Sequence, residues 1–289
     1  MKPLLPFLLY AAVALGQADA TPPAASPQPI PVDQENANRA RAVLDQAIEA
    51  LGGQAYLTYQ DRSEEGRFYT LHHGQSNSLG APFGRYSKFP DKERVDILKM
   101  RNYHFLIFDV GNVAAKNKDD IVVIHTGDKG YEITYKGTAA EKPSDTAEYL
   151  RRRERSLDWV LRKWLNEPGV ALFYEGTTVA AQKDVLQVTI MNARNQAVTL
   201  YIDARTYLPV KKKYSWRDPT DKERNVEEEV YDNYRPTQGI MTAFSVTRYY
   251  NGDMTFQRFI NSVVYNKGLS DSWFDARVTY DPNTPAVRK

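Results

Sequence analysis

Cysteine is absent from this sequence, and histidine is rare, with four in 289 residues. Without cysteine the chain forms no disulfide, offers no thiolate for catalysis or metal binding, and lacks the residue that receives the lipid of a bacterial lipoprotein. Basic and acidic residues nearly balance, at 38 and 36. No overall field therefore favours nucleic acid or an anionic surface, and partners must be sought in local features.

The common enzyme motifs are missing as well. The sequence has no nucleophile elbow, phosphate-binding glycine loop, dinucleotide fingerprint or zinc-protease helix. His72 and His73 would point to opposite faces of a strand, and His104 and His125 have no carboxylate at a ligand spacing. We expect no catalytic residue, no cofactor and no metal. A hydrolase is the weakest of the functional hypotheses for this chain, and a buried carboxylate pair in a cavity would support it.

The N-terminus has the pattern of an export signal, predicted over residues 1–20. Lys2 gives the positive start, residues 4–15 form a short apolar core, and Ala18-Asp19-Ala20 fits signal-peptide cleavage, so the mature protein would begin near Thr21. A bilayer-spanning helix needs about 20 apolar residues, so a retained anchor is the weaker alternative. Residues 21–32 are proline-rich and predict an extended linker. If the source is a Gram-negative bacterium, the protein is periplasmic.

Two helices are predicted. Apolar residues at helical spacing predict the first from Asp33 to Leu51, ended by Gly52-Gly53. The second runs from Ser144, as its cap, to Asn166. We interpret the second helix as a lid over a hydrophobic cavity. A fixed cover of the sheet fits equally well, because burial stabilises each apolar side chain by roughly 1.5 to 3 kcal/mol in either case.

Strand-like segments fill most of the remaining chain, with the strongest signals between Val198 and Phe274. Val198, Leu200 and Ile202 alternate with polar residues, and Asn251-Gly252 is typical of a type I′ hairpin turn. Tyr103 to Val110 is interpreted as an insertion. The other predicted strands are Phe68–His72, Arg85–Phe89, Glu93–Leu98, Ile121–His125, Tyr131–Tyr135, Phe173–Gly176, Val185–Ile190, Val210–Trp216, Glu228–Tyr234, Thr242–Tyr250 and Met254–Tyr265.

Two charged runs have open interpretations. Glu227-Glu228-Glu229 is interpreted as a solvated strand edge opposed to Lys211-Lys212-Lys213, although Glu227 and Glu229 would share a face and could act as paired carboxylates. The second helix is basic on one side. This side is either an ordinary solvated face or an interaction surface that binds lipid phosphates or an acidic partner. The candidate interaction residues are Arg151, Arg152, Arg153 and Arg155.

The C-terminal half resembles that of periplasmic lipoprotein carriers of the LolA, LolB and LppX group. The residues that carry the resemblance are Ile202-Asp203, Leu208-Pro209-Val210, Tyr231 to Tyr234, Gly239-Ile240-Met241, Asn266, Leu269, Asp271 and Phe274. The resemblance implies an α+β fold in which a curved antiparallel sheet forms an incomplete barrel, with the helices across its concave face. We expect one such domain over residues 33–278 and a polar tail over 279–289.

The resemblance also implies carriage of a ligand without chemistry. A hydrophobic cavity would hold a lipid or the acyl chains of a lipoprotein, at about 0.8 kcal/mol per buried CH₂ group. The expected lining residues are Leu161, Trp164, Leu165, Val198, Leu200, Ile202, Trp216 and Phe244. The alternative is an envelope scaffold or sensor of the same fold that acts through protein contacts. Nucleic acid is not expected as a partner.

Overall fold

The structure, a computed structural model, describes residues 32–72, 75–76, 80–97, 118 and 120–282. The helices are α1 (Val32–Leu51), α2 (Gln54–Thr58), α3 (Pro143–Glu154) and α4 (Leu157–Arg162), with 3-10 turns at Trp164–Asn166 and Asp271–Phe274. The strands are β1 (Asp61–His72), β2 (Gln75–Ser76), β3 (Ala81–Lys88), β4 (Lys92–Ile97), β5 (Ile121–Thr126), β6 (Lys129–Thr134), β7 (Gly137–Ala140), β8 (Ala171–Ala180), β9 (Lys183–Met191), β10 (Ala197–Asp203), β11 (Pro209–Arg217), β12 (Arg224–Thr237), β13 (Ile240–Tyr250) and β14 (Asp253–Tyr265).

All the strands belong to one antiparallel sheet. Their order is β7-β6-β5-β4-β3-β1-β14-β13-β12-β11-β10-β9-β8, with the short β2 paired to β1. Most neighbours are consecutive hairpins, but β1 pairs with β14, so Arg62 lies opposite Tyr265. The sheet does not close, because β7 and β8 lie at its two ends. This open, curved sheet with few helices confirms the predicted α+β half-barrel.

Several local predictions are confirmed. Asn251 and Gly252 both have positive φ, at 49° and 92°, as a type I′ turn between β13 and β14 requires. Val198, Leu200 and Ile202 are each fully buried on one face of β10. In α1 the apolar stripe is buried while the opposite side is exposed. Periodicity therefore predicted both the element and the face that it buries.

Two apolar clusters lie on opposite faces of the sheet. The larger packs α1 and α4 against the concave face, where α1 contacts β8, β9 and β13. The smaller contains Tyr86, Val122 and Ile124 and is covered by the chain after β14, through Leu269 and Phe274. Asp61 anchors this covering segment, because its carboxylate accepts the N–H groups of residues 267, 268 and 269 at 2.8, 3.0 and 3.1 Å.

The prediction of one continuous second helix from Ser144 to Asn166 is wrong, because the structure has two shorter helices in this segment. α3 ends at Glu154, Ser156 adopts extended backbone, and α4 begins at Leu157. Ser156 caps α4, since its Oγ accepts the N–H of Trp159 at 3.2 Å. Ser144 caps nothing; its hydroxyl donates to Asp145 instead. A serine that offers a local cap competes with helix continuation, which explains the break.

Several predictions fall outside the described residues: the export signal, the linker up to residue 31, the insertion Tyr103–Val110, His73, His104 and the tail beyond residue 282. In the part of the chain that the structure describes, no helix combines the length and the apolar character needed to cross a membrane.

Candidate ligand-binding cavity

A cavity of about 500 Å³ lies on the concave side of the sheet, under α3 and α4. Its floor is formed by the central strands, from β11 through β14 and from β1 to β5 in the order of the sheet. A volume of roughly 300–1,000 Å³ is usual for sites that enclose small molecules. The cavity is therefore large enough for a ligand without any rearrangement of the strands.

Aromatic residues form part of the wall. Tyr59 contacts Tyr265 edge to face at 4.9 Å between ring centroids, and Phe89 lies 6.2 Å from Trp159. Arg162 on α4 sits over both Tyr59 and Phe89, at 4.1 and 3.9 Å from the ring centroids. These contacts tie α4 to the apolar part of the wall, which can bury hydrocarbon.

A row of charged side chains crosses the same concave face, and we call it the charged belt. Neighbouring members face each other directly in the sheet register at Lys212–Glu229, Glu229–Arg248, Glu64–Arg85 and Glu93–His125. The belt consists of Lys212, Glu229, Arg248, Arg258, Glu64, Arg85, Glu93 and His125, all of which line the cavity. The cavity is thus amphipathic and not purely hydrophobic.

Glu64 lies at the centre of the belt, with its side chain only 1% exposed. Arg62, Arg85 and Arg258 approach its carboxylate to 2.9, 3.4 and 3.6 Å. Burial alone would raise the pKa of Glu64, but the three guanidinium charges outweigh burial and lower this pKa to about 2. Glu64 is therefore ionised over the whole physiological range.

Glu229 is the corresponding carboxylate on β12. Lys212 lies 2.9 Å from it, and the hydroxyl of Tyr231 donates to it at 2.7 Å. Against the effect of burial, Lys212 and then Arg248 hold the pKa of Glu229 well below its usual range. Burial and the nearby Glu229 charge raise the pKa of Tyr231, so that this phenol remains a hydrogen-bond donor.

The prediction of a solvated glutamate edge opposed to Lys211-Lys212-Lys213 is wrong in the solvation of Glu227 and Glu229, although Glu228 and Glu229 do pair with these lysines. Glu228 does pair with Lys211, at 2.8 Å, in the partly exposed way expected. Glu227 is completely buried, however, and receives a hydrogen bond from Arg152 at 2.9 Å. Glu227 and Glu229 point to the concave face, where the cations that neutralise them come from other elements.

The hydrolase hypothesis required a buried carboxylate pair in a cavity, but only Glu229 of this pair lines the cavity. A general acid needs a carboxyl with a raised pKa, whereas the pKa values of Glu64, Glu93 and Glu229 are all lowered after the effect of burial is overcome by neighbouring cations. Among the described residues, no group of three or more His, Asp or Glu side chains is arranged to hold a metal ion. The carboxylates serve as ion-pair acceptors.

The four arginines of the predicted interaction surface make contacts within the chain. Arg151 sits 4.1 Å over the ring of Trp216, and Arg152 pairs with Glu227. Arg153 donates to the carbonyl of Gly127 at 2.6 Å, and Arg155 is buried against Tyr214. The basic side of α3 therefore faces the sheet. Binding of a partner by these residues stays a prediction.

The eight predicted lining residues come together, but not around the cavity. All belong to the larger apolar cluster or pack against it: Leu161, Trp164, Leu165, Val198, Leu200, Ile202, Trp216 and Phe244. None of them is part of the cavity wall. α1 and α4 fill this part of the half-barrel with their own side chains, so the cavity lies further along the sheet. A ligand contact for these residues stays a prediction.

No protein-family model matches the sequence, and neither does any curated protein. Among solved structures, a DUF1329 family protein from Desulfovibrio piger matches 82% of this chain and 97% of its own, at 15% identity and a TM-score of 0.53. A putative outer membrane lipoprotein-sorting protein domain from Vibrio parahaemolyticus matches the same shares at 11% identity and a TM-score of 0.50. The chain has a LolA-like fold.

The LolA-like fold is the one that the sequence resemblance implied, and that prediction is confirmed. Identities this low show a common fold and leave the ligand open. The charged belt is the feature that sequence reasoning missed in this fold. Strand alternation did indicate that Glu227 and Glu229 share a face, which was the available signal.

Proposed function

We propose that this protein is a periplasmic binding or carrier protein that holds a lipid, or the acyl chains of a lipoprotein, without chemical conversion. The observation that carries the proposal is the cavity of about 500 Å³ between the concave face and α3 and α4. Its aromatic and aliphatic wall would bind hydrocarbon at about 0.8 kcal/mol per buried CH₂. The LolA-like fold and the predicted export signal agree with this role.

The test is to purify the full chain from the periplasm without detergent and to extract it with organic solvent for mass spectrometry. Stoichiometric lipid or acylated peptide is the expected result. The matched variants are Val246→Phe, which adds volume at the cavity wall, and Ser245→Phe, which adds it on the opposite face of β13. Val246→Phe should lose the extracted ligand, and Ser245→Phe should keep it.

An empty protein that also ignores added lipid and acylated peptide would contradict the carrier proposal. The same fold would then act as an envelope scaffold or sensor. Equal ligand loss in the Val246→Phe and Ser245→Phe proteins, with both folded by circular dichroism, would place the ligand somewhere other than this cavity.

A further inference from the structure

Four carboxylates on the concave face each have one close cationic partner. Glu64 pairs with Arg62 at 2.9 Å, Glu93 with Arg85 at 2.5 Å, Glu229 with Lys212 at 2.9 Å and Glu227 with Arg152 at 2.9 Å. At these distances each pair is a close ion pair, and the cation neutralises its carboxylate directly. These pairs leave two belt arginines, Arg248 and Arg258, without a carboxylate of their own.

Arg248 and Arg258 make only long ion pairs within the described part of the chain. Arg248 lies 3.6 Å from Glu227 and 3.5 Å from Glu229, and Arg258 lies 3.6 Å from Glu64. Both Nε atoms are buried and have no hydrogen-bond partner among the described residues. Their side chains are 22% and 17% exposed, so solvent hydrates them poorly.

The two arginines are neighbours on one wall of the cavity. Arg248 faces Phe256 across β13 and β14, and Arg258 lies two residues further along β14, so they are diagonal neighbours on the same face. Around Arg258, the positive charges of Arg85 and Arg62 oppose the attraction of Glu64 and Glu229. Burial, ahead of the attraction from Glu64, lowers the pKa of Arg258, as expected for an incompletely neutralised cation.

We propose that Arg248 and Arg258 bind the anionic headgroup, a phosphate or carboxylate, of an amphiphile whose hydrocarbon occupies the aromatic part of the cavity. This inference rests on the proposed carrier function and narrows its ligand class to anionic amphiphiles. Guanidinium groups bind both anions through paired N–H donors, and the aromatic wall accounts for the chain. Phe256, which also lines the cavity, lies 4.9 Å under Arg248 and stacks on Phe68 at 5.6 Å, so an apolar surface adjoins this arginine.

The test measures the affinity of the purified full chain for probes that share one chain length. Dodecyl phosphate and dodecanoate carry the anion, dodecanamide lacks the charge, and inorganic phosphate and acetate lack the chain. We expect the anionic amphiphiles to bind at least about tenfold more tightly than dodecanamide, as two charge-assisted hydrogen bonds imply. Phosphate and acetate alone should bind far more weakly than either amphiphile.

The matched variants are Arg258→Gln and Arg248→Gln, with Arg224→Gln as the control. Arg224 is an exposed arginine of β12 that does not line the cavity. The two belt variants should lose the preference for an anion while binding dodecanamide within about twofold of the parent, and the control should keep the preference. Each carboxylate keeps its close partner in these variants, so thermal unfolding should show that they fold.

Each outcome separates the inference from the carrier function. Equal affinity of the parent protein for dodecanoate and dodecanamide would overturn the anion site and leave the carrier function standing. Tight binding of free phosphate or acetate, with no gain from the chain, would keep the anion site and overturn the carrier function. No binding of any probe would overturn both. The parent protein alone decides among these results, whatever the stability of the variants.

Discussion

Glu64 shows how the concave face tolerates so much buried charge. A buried carboxylate is costly unless it is paired, and here three arginines surround one acceptor. Its folded pKa of about 2 lies below the model-peptide value of 4.5. Because one pKa unit corresponds to about 1.4 kcal/mol, Glu64 stabilises the folded state by about 3 kcal/mol at neutral pH.

The pH dependence of this contribution follows from its sign. Because the pKa of Glu64 is lower in the folded state than in the unfolded state, its contribution to the free energy of unfolding is fully present above about pH 4.5. This contribution is lost as the pH falls toward 2. We predict that Glu64→Gln lowers the free energy of unfolding by about 3 kcal/mol at pH 7, and that the difference from the parent shrinks as the pH falls from 5 to 2. Denaturant unfolding across this range measures both quantities.

The control for Glu64→Gln is Glu35→Gln. Glu35 forms an i,i+4 pair with Arg39 on α1, with its side chain 53% exposed, and such pairs contribute at most a few tenths of a kcal/mol. A constant difference between the parent and Glu64→Gln over pH 5 to 2 would show that the arginines do not depress the Glu64 pKa.

Asp61 offers a second prediction at a single residue. Its carboxylate accepts three backbone N–H groups that no other described group satisfies, and one of them, from Leu269, is buried. We expect Asp61→Ala to destabilise the fold by about 1–3 kcal/mol and to speed hydrogen exchange from residue 267 to residue 276. Exchange measured by mass spectrometry reports this segment. Asp232→Ala, at an exposed position of β12, should change stability by less than about 0.5 kcal/mol.

Single residues also show where sequence reasoning stops. Alternation placed Glu227 and Glu229 on one face, but the concave face there has no apolar pattern to distinguish it from the outer face. The deciding contact, from Arg152 to Glu227, joins residues 75 positions apart. The apolar residues of β10 were assigned correctly because their own pattern identifies the buried face.

Among the helices and strands, the break between α3 and α4 shows most clearly why periodicity alone does not fix the ends of a helix. The apolar spacing of Leu157, Leu161 and Trp164 continues a helical pattern, so periodicity alone joins the two helices. Ser156 and its hydrogen bond to Trp159 start a new helix instead. A cap signal within an apolar period is ambiguous in a sequence, because the same serine also tolerates a helix interior.

The two serines provide a matched pair of variants. Ser156→Ala removes the cap of α4 and should destabilise the protein by about 1 kcal/mol. Ser144→Ala removes an exposed hydroxyl that caps nothing and should change stability by less than about 0.5 kcal/mol. Urea unfolding of both variants measures the difference. Equal losses would indicate that Ser144 contributes to the start of α3 after all.

On the scale of the whole molecule, the sheet order carries information that no short stretch contains. From β8 to β14, each strand pairs with the next strand in the sequence, so turn residues and the alternation of apolar and polar residues could predict these hairpins. The pairing of β1 with β14 joins strands about 190 residues apart in the sequence. It brings together the strands that carry Glu64 and Arg258, at the centre of the charged belt. Glu64 and Arg258 approach each other only through this pairing. The resemblance to a known fold could therefore predict that a cavity exists, but the sequence could not predict which residues line it.

The helices that cover the cavity differ in how they are held. α4 buries Trp159, Val160 and Leu161, whereas α3 has no buried residue. α3 is attached by polar and stacking contacts: Arg152 with Glu227, Arg153 with the Gly127 carbonyl, and Tyr149 stacked on His125 at 3.5 Å. Elements with little apolar burial open at low free energy. If one helix moves to admit a ligand, α3 is therefore the one.

We predict that amide hydrogens of α3 exchange faster than those of α1 and α4, and that a bound anionic amphiphile slows exchange in α3 most. Hydrogen exchange with mass spectrometry on the full chain, with and without dodecanoate, measures both effects. Arg153→Ala should accelerate exchange in α3 further and leave α1 unchanged, since α1 is held by apolar burial against β8 and β9. Exchange in α3 as slow as in α1, with or without ligand, would identify α3 as a fixed cover and require another route into the cavity.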